Sequence, residues 1–173
     1  TRAKMLLAEA GYKHGFKVNL WQSQSQENSL VTEVIQSYLK KVGISIKIQQ
    51  NDWNMFTQAI REGTPDMYYR SWYADYPDGE NFLAPLFESQ VSQTRWTRYN
   101  NPALDTLIIA LQRETNNKQK SIITKKANRI VVKDAPWIFL WHSQTPYIIN
   151  PKLKNWYPSI MFNAEKYTDV WKE

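Results

Sequence analysis

The chain has 173 residues, 42% of them hydrophobic and 14% aromatic, with 22 Lys and Arg against 16 Asp and Glu. That is enough chain to bury a core and too apolar for a disordered tail, while a formal charge of +6 implies a solvated basic surface before it implies a nucleic-acid partner. The absence of cysteine excludes disulfides, thiolate metal ligands and a cysteine nucleophile, and the longest apolar run, PWIFLW, is far short of the ~20 residues that cross a bilayer.

In chain order, the spacing predicts a helix over residues 2–10 with Ala3, Leu6, Leu7 and Ala10 on one face and Gly11 as its stop. The pattern is already helical at the first residue, without an initiator Met or a leader, so the chain is expected to be part of a longer protein. Phe16, Val18 and Leu20 alternate with Lys17, Asn19 and Trp21, the two-residue period of a strand. The next helix should be capped by Asn28 or Ser29, carry Leu30, Val31, Val34, Ile35, Tyr38, Leu39 and Val42 inward, and end at Gly43. Ile44, Ile46 and Ile48 mark a second strand. Asp52 then caps a helix bearing Trp53, Phe56, Ala59 and Ile60, and a third strand is expected over residues 66–73. Strand, helix, strand, helix, strand with short connections is the pattern of parallel βαβ units, so the fold class is α/β, a parallel-rich sheet flanked by helices.

The second half reads as more helical. Asn101 and Pro102 open a helix to about residue 114, with Leu104, Leu107, Ile108 and Leu111 inward, and another spans about 118–133. Pro136 stops it, and residues 137–142 and 146–149 read as two further strands.

In open parallel sheets, ligands sit beyond the carboxyl ends of the strands. Two loops qualify: residues 22–29, QSQSQENS, beside Trp21; and residues 72–82, WYADYPDGENF, the richest stretch in aromatics and carboxylates. Pro77, Asp78 and Gly79 have the chemistry of a tight turn, so Asp75 should project from a fixed strand end. Trp72 with Tyr73 or Tyr76 could supply aromatic faces to a cation while Asp75 supplies charge-assisted hydrogen bonds to an ammonium. The alternatives are structural: Asp75 capping the turn or pairing with Arg70, and Trp72 and Phe82 as packing residues. Strand parity would put Arg70 on the side of Trp72, where it could meet a ligand carboxylate or neutralise an acid.

Enzymatic readings have little support. His14 and His142 are far apart in the chain, and no nucleophile-elbow, zincin or P-loop motif is present. Asp75 with Asp78 or Glu80 could form the acid and base of a glycoside hydrolase. Arg95, Trp96, Arg98 and Tyr99 could stack bases in a single-stranded nucleic-acid-binding module.

Several segments in order, AKMLLAEAGY with GF shortly after, WYADYPDGENFLAPLF, YNNPALDTLI, and DAPWIFLWH with a tail ending TDVW, resemble the carboxyl-terminal portion of the extracytoplasmic solute-binding proteins of ABC importers, in the oligopeptide, dipeptide and nickel class. The resemblance implies a two-lobed periplasmic-binding-protein type II fold that closes on its ligand. Residues 1–142 would belong to the second lobe, and 143–173 would be a tail crossing back to the first. It also implies a binding protein rather than an enzyme, with no cofactor and no metal. Its partners would be a peptide ligand and the permease's transmembrane subunits, with no nucleic acid; metal chelates or sugars are the other ligands of such a family. A monomer is expected, in the periplasm or on the extracytoplasmic face of the membrane, with lipid anchoring as one form. In peptide-binding members, the aspartate of the W-x-x-D segment holds the ligand's α-amino group and the tryptophan lines the same pocket, which points to Asp75 and Trp72. Some oligopeptide binders carry an arginine three residues before that tryptophan; here Tyr69 stands there, with Arg70 beside it.

Overall fold

A computed structural model describes residues 1–159, 161 and 165–173, with the description limited to the backbone at 93–95. The chain divides into two compact units, Thr1–Ser71 with Thr94–Trp96, and Trp72–Gln93 with Thr97–Glu173.

The first unit is the α/β part. Helix α1 (Arg2–Glu9) precedes β1 (Phe16–Ser23), α2 (Gln26–Lys40), β2 (Ile44–Asn51), α3 (Trp53–Glu62) and β3 (Met67–Tyr69). The strands form one parallel sheet in the order β2-β1-β3, with Phe16 opposite Ile44 and Leu20 opposite both Ile48 and Met67. Each connection between parallel strands is a helix, because a parallel neighbour can be reached only by a crossover. Leu20, Ile46, Phe56, Ala59 and Ile60 are buried. Gln22 is buried too, and is satisfied from α2: its carboxamide oxygen accepts from the Thr32 hydroxyl at 2.6 Å and its nitrogen donates to Ser29 Oγ at 3.1 Å.

Several boundaries differ from expectation. Ser25, rather than Asn28 or Ser29, caps α2 by accepting from the Asn28 N–H, while the Asn28 carboxamide reaches back to Ser23. The apolar stripe of α2 is wider than the surface that covers it: Val31, Ile35, Leu39 and Val42 are half-buried, but Leu30, Val34 and Tyr38 are exposed. In α1 no residue is buried, including Ala3, Leu6 and Leu7. Strand β3 stops at Tyr69 rather than reaching residue 73, since its ladder to β1 ends at the pair Gln22 and Tyr69. The parity argument that placed Arg70 and Trp72 on one strand face therefore does not hold.

In the second unit, a 3-10 turn (Gly79–Phe82), α4 (Ala84–Phe87) and α5 (Ser89–Arg95), whose last residues fall in the first unit, precede α6 (Pro102–Arg113) and α7 (Asn117–Asp134). Leu104, Ile108 and Leu111 of α6 meet Ala127 and Val131 of α7 in a buried core, joined by Leu83, Leu86 and Phe87. Asn101 caps α6 through the N–H groups of Ala103 and Leu104, as its sequence predicts. Its nitrogen donates to Asp134 at 2.7 Å, and Tyr99 donates to the same carboxylate, which ties the start of α6 to the end of α7. The expected strands at 137–142 and 146–149 are not formed: the first opens on a bend, and neither segment takes part in a ladder among the described residues. The last pairing is instead a short antiparallel one between β4 (Leu153–Lys154) and β5 (Trp171–Lys172). Residues 160 and 162–164 of the expected tail lie outside the described residues.

In the first unit the turn before β1 is held against the turn before β2 by two glycines. Gly15 has φ +73°, and a Cβ there would come within 1.9 Å of the Gly43 carbonyl oxygen. Gly15→Ala is expected to lower stability by about 2 kcal/mol, read as a shift in the urea unfolding midpoint at unchanged slope.

Candidate functional site

The loop after β3 is built around one buried side chain. Asn81, only 2% exposed, accepts the Asp75 N–H on its Oδ1 at 2.9 Å, and its backbone carbonyl accepts the Trp72 indole N–H at 2.9 Å. Both candidate residues are thus fixed from one position. Ala74 between them is buried, which anchors the backbone and turns its neighbours outward. Trp72 is half-buried, while Tyr73, Asp75 and Tyr76 are exposed.

Three contacts seat the following turn on the helices of the second unit. Asp78 caps the 3-10 turn by accepting the Glu80 N–H at 3.0 Å and forms an ion pair with Lys120 of α7. Gly79 lies so close to α7 that a Cβ would stand 2.8 Å from the Thr124 methyl. Glu80 accepts from Gln112 of α6 at 3.1 Å and from the Tyr76 hydroxyl. The hydrogen bond from Lys120 holds the Asp78 carboxyl below the usual carboxylate range, and the bond to Glu80 pushes the Tyr76 phenol up.

These contacts sort the candidates. The turn is capped by Asp78, not Asp75; among the described residues the Asp75 carboxylate makes no hydrogen bond or ion pair. Tyr76 has its hydroxyl committed to Glu80 and offers its ring. Asp78 and Glu80 are both engaged, which leaves Asp75 without a second unencumbered carboxylate in the loop for glycoside hydrolysis.

Trp21 and Arg70 belong to the first unit. Trp21 is half-buried in β1, opposite Tyr68 of β3. Tyr68 stacks edge-on against Phe56 of α3, and burial pushes its phenol up to about 12. The Arg70 guanidinium lies 4.3 Å from the Trp96 ring and 5.1 Å from Trp53, so cation–π contacts hold it, and desolvation lowers its pKa. One ring face of Trp96 is thus covered, the Tyr99 hydroxyl is bound to Asp134, and the side chain of Arg95 lies outside the described residues; the arrangement does not favour base stacking. Asn81 is not evident from the sequence: its only signal is a short polar side chain between Glu80 and Phe82, just after a Pro-Asp-Gly turn.

The sequence model of "Bacterial extracellular solute-binding proteins, family 5 Middle" matches residues 1–94. Heme-binding protein A of Haemophilus influenzae is 29% identical over 91% of the chain, and Di/tripeptide-binding protein 2 of Pseudomonas aeruginosa 30% identical over 89%; the chain spans about 30% of the length of each. A solved structure of the ABC transporter-associated periplasmic binding protein DppA from Helicobacter pylori, in complex with peptide STSA, superposes with a TM-score of 0.72 at 32% identity, over 77% of this chain and 27% of that one.

Replacing Asn81 with Ala should leave the Asp75 N–H without its acceptor and cost about 1–3 kcal/mol, read as a shift in the urea unfolding midpoint at unchanged slope. Because the Asp78 pKa is lower folded than unfolded, its pairing with Lys120 stabilises above the ordinary carboxylate pKa and is lost as pH falls through the lowered value. The stability difference between wild type and Asp78→Asn should therefore be full at neutral pH, begin to shrink only below about pH 4 and vanish once the pH is under the lowered value, as read from acid unfolding curves. The matched family segment, the parallel α/β arrangement and the superposition agree: the chain belongs to the family 5 bacterial extracellular solute-binding proteins and has the periplasmic-binding-protein type II fold.

Proposed function

We propose that this chain is the part of an ABC importer's solute-binding protein that receives the amino end of a short peptide, with Asp75 as the group that binds the ligand's ammonium. The observation carrying this reading is a carboxylate that is exposed, unpaired among the described residues and fixed at its backbone by a buried asparagine. Its neighbours suit the task. The half-buried Trp72 indole and the exposed rings of Tyr73 and Tyr76 offer π faces to a cation, and closure around the ligand would strip water and strengthen the charge-assisted contact. Trp21 and Arg70 are proposed as further ligand contacts, Arg70 through its exposed remainder, since two indoles already hold its guanidinium.

The names of the relatives support a peptide: one is a di/tripeptide-binding protein, and the solved DppA structure holds a peptide. The whole protein would bind without chemistry, act at the extracytoplasmic face of the membrane and deliver its ligand to permease subunits. We further assign residues 1–142 to the second lobe and 143–173 to a tail returning to the first. Support comes from the tail itself: Tyr147, Ile148 and Ile149 are exposed in a segment that joins no ladder among the described residues, as expected of chain whose partners belong to another lobe.

A buried ammonium that loses its partner costs about 3–5 kcal/mol, and a charged hydrogen bond contributes about 1.5–3. Asp75→Asn in the full-length protein should therefore weaken peptide binding at least about ten-fold by calorimetry; equal affinities would remove Asp75 from the site. Residues 1–173 alone should bind peptide weakly, and tight binding would overturn the two-lobe assignment.

A further inference from the structure

The first unit carries a basic recess at the end of the sheet opposite the carboxyl ends of its strands. Lys4 and Leu7 of α1, Lys13, His14 and Gly15 before β1, and Lys40, Lys41, Val42 and Gly43 after α2 line a cavity of about 250 Å³. Four of these nine residues are lysines and none is a carboxylate. All four lysines are exposed, and among the described residues none forms an ion pair.

Gathering ammonium groups without counter-charges is unfavourable unless something outside the fold supplies negative charge. Lys40 and Lys41 have a local reason to be there, since cations at the end of α2 offset the negative pole of its dipole, and Lys41 also lies 4.8 Å from the Tyr38 ring. Lys4 and Lys13 have no such reason. The recess is shaped by backbone: Gly15 packs on Gly43, so the two loops bearing Lys13 and Lys41 cannot drift apart freely.

Two further observations define the anion. The recess has no arginine, the side chain suited to bidentate recognition of a single phosphate; lysine, a mobile point charge, suits a diffuse anionic surface. In sequence next to Lys4 and Lys13, Met5, Leu6 and Tyr12 are 63%, 52% and 51% exposed, and Tyr38, whose ring lies under Lys41, is 63% exposed. Lysines interleaved with exposed methionine, leucine and tyrosine are the composition of a surface that rests in a headgroup layer, where apolar side chains enter the acyl boundary and lysines meet phosphodiesters.

We propose that this pole of the first unit docks on an anionic phospholipid surface. The contact is independent of the Asp75 site and of the ligand it takes.

The test uses the full-length protein free of covalent lipid, sedimented with vesicles of phosphatidylcholine alone or doped with phosphatidylglycerol. Binding is expected only to the anionic vesicles and should weaken as salt is raised. Changing Lys4, Lys13, Lys40 and Lys41 together to Gln should lower partitioning about a thousandfold, at roughly one surface-attraction increment per lysine. The same charge removed from α7, by Lys118, Lys125, Lys126 and Lys133 to Gln, should leave it within about threefold. Peptide affinity and melting temperature, read on every variant, identify one that has merely unfolded, and single Lys13→Gln on its exposed loop then carries the comparison. Equal loss from both sets would reduce the effect to net charge and overturn the proposal, as would absence of binding to anionic vesicles. Stabilisation by inorganic phosphate that depends on the same four lysines would also overturn it, in favour of a discrete phosphate pocket.

Discussion

The candidate site depends on a single buried carboxamide. Asn81 spends its side-chain oxygen on the Asp75 N–H and its main-chain oxygen on the Trp72 indole, so a charged group and an aromatic wall three residues apart are held from one point. Neither bond touches the Asp75 carboxylate, which leaves that group available to a ligand. A ligand-binding carboxylate must resist collapse onto its own protein, and here the neighbouring polar groups are already engaged: Asp78 with Lys120, Glu80 with Tyr76 and Gln112.

The helices beneath explain why the loop can be stiff without regular structure. A segment with few ladder hydrogen bonds is normally among the least stable parts of a fold. This one is tied to α6 and α7 through Gln112, Lys120 and the close approach of Gly79 to Thr124, and those helices share the buried core of Leu104, Ile108, Leu111, Ala127 and Val131. Positional precision thus comes from a helical pair and reaches the loop through side-chain ties.

Much of this was legible in the sequence, and the failures share a cause. Alternation in Phe16–Ser23 and Ile44–Asn51, the Asp52 cap and the Gly63 stop all report on neighbours within a few residues, and each gave the right element, whereas α1 and α2 end at Glu9 and Lys40, ahead of Gly11 and Gly43. The end of β3, the unpaired segments at 137–142 and 146–149, and the exposed stripe of Leu30, Val34 and Tyr38 depend on what lies beside them in space, which spacing cannot carry. The same limit applies at the site: the loop of Trp72 and Asp75 was visible from its composition, but the turn-capping role fell to Asp78, and Asn81 became meaningful only once its two bonds could be seen.

The stretch after α7 has a practical consequence. Ile138, Phe139, Leu140 and Trp141 are all exposed in a run that joins no ladder among the described residues, and Ile148 follows with its side chain wholly open to water. Backbone donors and acceptors in that condition will pair with whatever extended chain they meet first, including another copy of themselves. Handled in isolation at high concentration, this polypeptide is expected to self-associate through its apolar tail, so solubility and apparent oligomer size would then reflect those exposed side chains instead of any property of a longer protein that contains it.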